Sequence, residues 1–147
     1  MNRFTVDLPG QPPSWNRTYR IVRLPAKDKH GQPVLGADGT QKKYSTMKKT
    51  EAVADYQTMA GYLINTAKPS AFKPEGLIYV LYELFLGRDV DCDNVMKAID
   101  DTLARCLEVN DNRFLPVAMS KETGVKDPHV KLTVLDHKHW AVVAVPL

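Results

Sequence analysis

Cysteine is scarce. Cys92 and Cys106 are the only two in 147 residues, too few for the disulfide framework that holds small secreted domains together. No apolar run approaches the ~18 residues that a membrane span requires. The longest, Leu77 to Leu86, carries Glu83 inside it and has the length of a buried strand. The opening MNRFTVDLPG lacks the apolar stretch and small-residue cleavage site of a secretory signal. There are four histidines, and no His/Cys spacing matches a zinc site. His137 and His139 read as two solvated residues near an edge strand. A cytoplasmic chain with free thiols and no membrane partner is expected. The rest is ordinary globular composition, 44% hydrophobic and 25% charged, at a length that suits one domain with a sizeable core.

The net charge of +3 hides an asymmetry. Residues 1–50 carry ten Lys and Arg against Asp7, Asp28 and Asp38, or +7. Residues 51–147 carry ten against fourteen acids, or −4. Seven of those acids lie between Asp89 and Asp111, opposed there only by Lys97 and Arg105. A basic front half suits a polyanion. An acidic knot within such a chain does not, unless a cation sits in it.

Phe4, Val6 and Leu8 alternate and predict a first strand over Arg3–Leu8. Pro9, Gly10, Pro12, Pro13 and Ser14 then break regular structure. Residues 18–24 and 41–45 read as extended. Gly31, Pro33, Gly36 and the Asp38-Gly39 turn lie between them, so 23–43 forms a long ribbon or loop. From Met47 to Lys68 apolar residues recur at spacings of three and four. That predicts a helix capped by Ser45 or Thr46, with Pro69 beyond its end. Leu77–Leu86 reads as a central strand. A second helix is expected over Asn94–Cys106, with Val95, Ile99, Thr102, Leu103 and Cys106 inward. Strands are expected at Phe114–Lys121 and His129–Leu135, with an edge strand at Trp140–Val145. The order predicts a single α+β domain over 1–147. It is a mixed β-sheet with two packed α-helices and a long N-terminal ribbon.

The chemistry concentrates between Arg88 and Asp111. Alternation on an extended chain puts Asp89, Asp91 and Asp93 on one face. Helical spacing then puts Asp93, Lys97 and Asp101 on one stripe. A turn at Asn110-Asp111-Asn112 can return Asp111 to the same place. Crowded carboxylates repel unless a cation compensates, and Mg²⁺ prefers such hard oxygen ligands, together with water and substrate phosphate. Three plainer readings stand beside this one. Asp93 or Asn94 can simply cap the helix. Lys97 can form an intrahelical salt bridge to Asp93 or Asp101, worth only ~0.3–0.5 kcal/mol. Asp89, Asp91, Asp93 and Asp100 also fall at positions one, three, five and twelve of a calcium loop. Against that loop, Asn94 replaces its glycine and Lys97 takes a ligand position.

Basic residues Arg17, Arg20, Arg23 and Lys43 precede the acids and are candidate phosphate contacts. Arg88 and Arg113 flank the acids and meet the same phosphate. Trp15 and Tyr19 sit in the proline-rich loop, where aromatics can stack on unpaired bases or simply pack on the sheet edge.

The pattern Asp91-x-Asp93-Asn94-x-x-Lys97-x-x-x-Asp101-x-Leu103, followed by Asn110-Asp111, resembles the RusA-type Holliday junction resolvases. The opening Leu8-Pro9 … Pro12-Pro13-Ser14-x-Asn16-Arg17-x-Tyr19-Arg20 is similar to that family's start. Lys121 falls where the family tends to carry a lysine. The resemblance implies a homodimeric endodeoxyribonuclease, often of phage or prophage origin, dependent on Mg²⁺ or Mn²⁺. It would resolve four-way DNA junctions in recombination and repair by paired symmetric nicks. Carried over, Asp91, Asp93 and Asp111 are the metal-binding catalytic acids and Lys97 the catalytic-site lysine. Asp101 and Asn94 support them. Residues 23–43 are longer than in compact members, and Asp89 stands where a basic residue is more typical. A nuclease for other branched or flap DNA, or a non-catalytic DNA-binding protein, are the alternatives.

Overall fold

The computed structural model describes residues 2–14, 19–143 and 145–146. Trp15, Asn16 and Arg17 therefore lie outside the described residues. Eight main elements follow one another: β1 Arg3–Pro9, β2 Tyr19–Pro25, β3 Lys43–Lys49, α1 Glu51–Ala67, β4 Ile78–Leu86, α2 Cys92–Leu107, β5 Phe114–Thr123 and β6 His129–Asp136. β1, β6, β4 and β5 form one sheet in that order, while β2 and β3 form a separate two-stranded ribbon. The β4–β5 pair is parallel and the other two pairs of the sheet are antiparallel. This is the mixed sheet with two helices that the sequence predicts.

Alternation decides which side of the sheet is covered. Val6, Leu8, Val80, Tyr82, Leu84, Leu132 and Val134 point to one face and join Ala60, Ile64, Val95, Ile99 and Leu103 of the helices in one core. Each aliphatic side chain buried there contributes about 1.5–3 kcal/mol. The opposite face is more polar. Thr5 and Thr133 share a hydrogen bond of 3.0 Å, and Lys131 pairs with Glu83 across the strands at 3.3 Å. The helices thus lie against one face of the sheet.

Helix α2 shows the expected inward face in full, since Val95, Ile99, Thr102, Leu103 and Cys106 are all buried. Its C-terminus is closed by Glu108 in the left-handed region (φ 55°), and Lys68 Nζ donates to the Cys106 carbonyl at 2.6 Å. A cation there opposes the negative end of the helix dipole. Helix α1 begins four residues later than its periodicity suggests. Met47, Lys48 and Lys49 are instead paired with Ile21, Arg20 and Tyr19 in the ribbon. The N-cap is Thr50 rather than Ser45 or Thr46. The expected edge strand at Trp140–Val145 is not formed among the described residues. Trp140 instead lies beneath the Arg3 guanidinium, 5.0 Å from carbon to ring centre.

Parallel strands need a crossover, and α2 supplies it between β4 and β5. The acid-rich segment is therefore the turn at the carboxyl end of β4 together with the helix that follows. In open α/β arrangements ligands gather outside that end of parallel strands. A strand before the segment and a continuous helix from Cys92 leave no twelve-residue loop between two helices, which excludes the calcium-loop reading.

Candidate functional site

Asp91 is the N-cap residue of α2, with an extended backbone. Its carboxylate does not cap the helix; it accepts from Asn94 Nδ2 at 3.4 Å. Asp93 is exposed in the first helical turn. Because the helix starts at Cys92, the alternation of Asp89, Asp91 and Asp93 on one extended face is broken after Asp91. Asp89 instead pairs with Lys121. Two carboxylates remain at the positive end of α2, where the helix dipole favours negative charge. Neither is ion-paired among the described residues.

Lys97 lies one turn further along. Its amino group is 2.9 Å from Asp111 and 3.2 Å from Asp101. Asp111 reaches it because the chain turns directly after α2. Asn110 accepts from the Asn112 N–H at 3.0 Å and starts a short 3₁₀ turn over Asp111–Arg113. The hydrogen bond from Lys97 holds the Asp111 carboxyl below the usual aspartate range. The bonds to Asp111 and then to Asp101 raise the Lys97 ammonium above its ordinary value. Lys97 is thus fixed as a cation between two acids, with 39% of its side chain exposed.

Asp100, which the sequence offers only as a calcium-loop ligand, is the deeper member of this cluster. It accepts a short hydrogen bond from the Tyr82 hydroxyl, which belongs to a strand position only 1% exposed. Burial raises the Asp100 carboxyl above its usual range, the Tyr82 bond and the Lys97 charge oppose that rise, and the nearby Asp101 and Asp111 charges add to it. The sequence carried one signal for this: a tyrosine at an inward position of a core strand needs a partner for its hydroxyl. Tyr82→Phe is expected to cost about 1–3 kcal/mol, by leaving a partly buried carboxylate without its donor. Asp100→Asn keeps an acceptor and removes the charge. A folded-state pKa raised above the unfolded one gives stability that is complete at low pH and lost as pH rises through the folded value. The melting temperature of Asp100→Asn relative to wild type should therefore rise between about pH 3 and about pH 7. A constant or falling difference in thermal melts would refute the burial of a costly charge.

The basic candidates divide. Arg20 and Lys48 sit opposite each other in the ribbon, and Lys43 ends it beside Pro25. These and Arg88 are exposed. Arg113 is committed elsewhere, since Nε and Nη2 donate to the carbonyls of Gly76 and Pro74 at 2.7 and 2.6 Å. It tethers the segment before β4. Lys121 is held by Asp89.

A divalent metal fits this site in donor type and not in grouping. Asp91 and Asp93 offer hard oxygens that no salt bridge occupies among the described residues, although the Lys121 charge acts on Asp91, and two carboxylates are the share of protein ligands that Mg²⁺ commonly takes. Asp111 is engaged by Lys97, and among the described residues no three acids, histidines or cysteines cluster as a metal site. No helix is long and apolar enough to cross a membrane. No protein-family model matches the chain, and no curated protein sequence matches it.

Proposed function

We propose that the protein is a divalent-metal-dependent, structure-selective endodeoxyribonuclease that resolves four-way DNA junctions by paired symmetric cuts. The observation that carries this reading is Lys97, held between Asp101 and Asp111 one helical turn after Asp93 and six residues after the N-cap Asp91. Phosphodiester hydrolysis needs an activated water and positive charge where the phosphoryl oxygens gain negative charge. Asp91, Asp93 and Asp111 are the residues that would hold Mg²⁺ or Mn²⁺, which would supply Lewis acidity for both needs. Lys97 presents a fixed ammonium to a phosphoryl oxygen, and a preset charge costs no reorganisation when the reaction occurs. Asp101 and Asp111 keep that ammonium protonated and oriented.

The ribbon supplies the DNA surface. Arg20, Arg23, Lys43 and Lys48 are exposed along it, and the exposed Arg88 directly precedes the acids in the sequence. A junction has approximate two-fold symmetry and needs two cuts, which suits a C₂ homodimer with two identical sites. One observation favours a second reading, a DNA-binding protein that does not cut: Asp111 is already neutralised by Lys97.

The test compares a synthetic four-way junction, a flap and a plain duplex, each with Mg²⁺ and with a chelator. Symmetric nicking of the junction alone, only with metal, is the expected result. Equal cutting of the flap would broaden the substrate to branched DNA in general. Binding without cutting in Mg²⁺ and Mn²⁺ would select the second reading.

A further inference from the structure

The protein's positive charge sits on a separate pair of strands. β2 and β3 hold five Lys and Arg and no acid, or +5, while the rest of the chain carries fifteen against seventeen acids, or −2. None of Arg20, Arg23, Lys43, Lys48 and Lys49 is ion-paired among the described residues. The strand register decides what each face presents. Ile21 lies opposite Met47, Arg23 opposite Ser45 and Pro25 opposite Lys43, so these six share one face. All six are exposed. Ile21 at 75% and Met47 at 64% form an apolar pair in open solvent, followed along the strands by Arg23 and Lys43. On the other face Val22, Leu24 and Thr46 are half-buried. The base of the ribbon is tied to the body, since Lys49 Nζ donates to the buried Gln57 of α1 at 2.9 Å.

We propose that the Ile21 face of the ribbon lies in the major groove of one duplex arm, with Ile21 and Met47 against thymine methyl groups. The inference rests on the DNA-binding part of the reading above, and adds how the ribbon is seated and what it reads. Charge disfavours a second copy on this face, because the copy would bring the same unpaired cations. The strand edges disfavour a lipid surface. Each strand has one edge that pairs with no other strand, and lipid would leave those backbone groups without partners. Beside DNA the same N–H groups can donate to phosphate oxygens on either wall of a groove. Size selects the groove. Two strands ~4.8 Å apart suit the major groove, about 12 Å wide, and not the minor groove, about 6 Å wide. The apolar pair points the same way, since the major groove displays the thymine methyl and the minor groove displays no such group. Arg23 and Lys43 then meet the flanking phosphates. Strands of seven residues at ~3.3 Å each cover about seven base pairs.

The probe is a four-way junction whose arms alternate G·C and A·T pairs, with chelator present so that cutting does not enter. Dimethyl sulfate methylates guanine N7, which faces the major groove. Bound wild type should shield N7 over about seven base pairs of an arm. Met47→Glu places an acid on the exposed face and should lose that shield. Uracil in place of thymine removes only the methyl group. In the shielded run it should weaken wild-type binding several-fold and make no difference to Ile21→Ser/Met47→Gln. The wild-type comparison of thymine with uracil needs no variant to fold. Reactive N7 throughout the bound arms, the same shield in Met47→Glu, or equal wild-type affinity for thymine and uracil arms overturns the proposal. Conversion of a dimer to a monomer by Ile21→Ser/Met47→Gln in light scattering would give the face to a second copy and overturns it too. So does binding to phosphatidylserine vesicles that Met47→Glu abolishes while junction binding is unchanged. An N7 shield without any Mg²⁺-dependent cutting overturns the nuclease reading alone. Absence of junction binding overturns both.

Discussion

Asp93→Asn is expected to bind a four-way junction as well as wild type and to cut it at least about 100-fold more slowly in Mg²⁺. Removing even an outer partner of a metal ligand commonly costs 10–100-fold, and Asp93 is assigned as a direct one. The substitution preserves shape and removes one charge. Its position makes it a clean test. Asp93 is exposed in the first turn of α2 and takes no part in the core. Losing a negative charge at a helix N-terminus costs about 0.3–1 kcal/mol, and asparagine is at home near that end. The melting temperature should shift by only a few degrees. Binding should hold or improve, because one repulsion against DNA is gone. Wild-type cutting by Asp93→Asn in single-turnover assays would remove the carboxylate pair from the reaction, and with it the proposed metal site.

The legible parts of the fold are those where burial is one-sided and local. Val95, Ile99, Thr102, Leu103 and Cys106 recur at helical spacing because only one face of α2 meets the sheet. Phe4, Val6 and Leu8 alternate because β1 has one buried face. The less legible parts were decided by distant partners. Met47 continues a helical pattern, yet its backbone is paired with Ile21, twenty-six residues earlier in the chain. Trp140 looks like a strand residue until Arg3 arrives over its ring.

At the site, the stripe of Lys97 and Asp101 followed from spacing alone, and the return of Asp111 followed from the polar turn. The inward turn of Asp100 toward Tyr82 did not. Neighbouring acids look alike in sequence, and only the phase of the helix against the sheet separates them. Nor could charge patterning foresee that Arg113 would be drawn to backbone carbonyls before β4. The roles given to Asp91, Asp93, Lys97 and Asp111 came from the family resemblance. The structure contributes the contact that ties two of the four together.

Lys97→Ala separates that contact's two uses. As a salt bridge it is minor: the Lys97, Asp101 and Asp111 side chains are 39%, 28% and 42% exposed. Exposed pairs of this kind are worth about 0–1 kcal/mol. Thermal melts of Lys97→Ala should therefore fall close to wild type. As a charge presented to the phosphoryl group it is worth far more, since removing one such preset donor typically costs about 10²–10³ in rate. Cutting by Lys97→Ala should drop by that factor, in the rate of the bound complex rather than in junction affinity. Lys97→Arg should recover part of the loss, because it restores the charge with a bulkier and planar head. A structural role alone predicts an unchanged single-turnover rate beside the same near-wild-type melt. Near-normal cutting by Lys97→Ala would leave the ammonium as nothing more than a clasp between α2 and the turn at Asp111. The carboxylates would then have to account for catalysis without it.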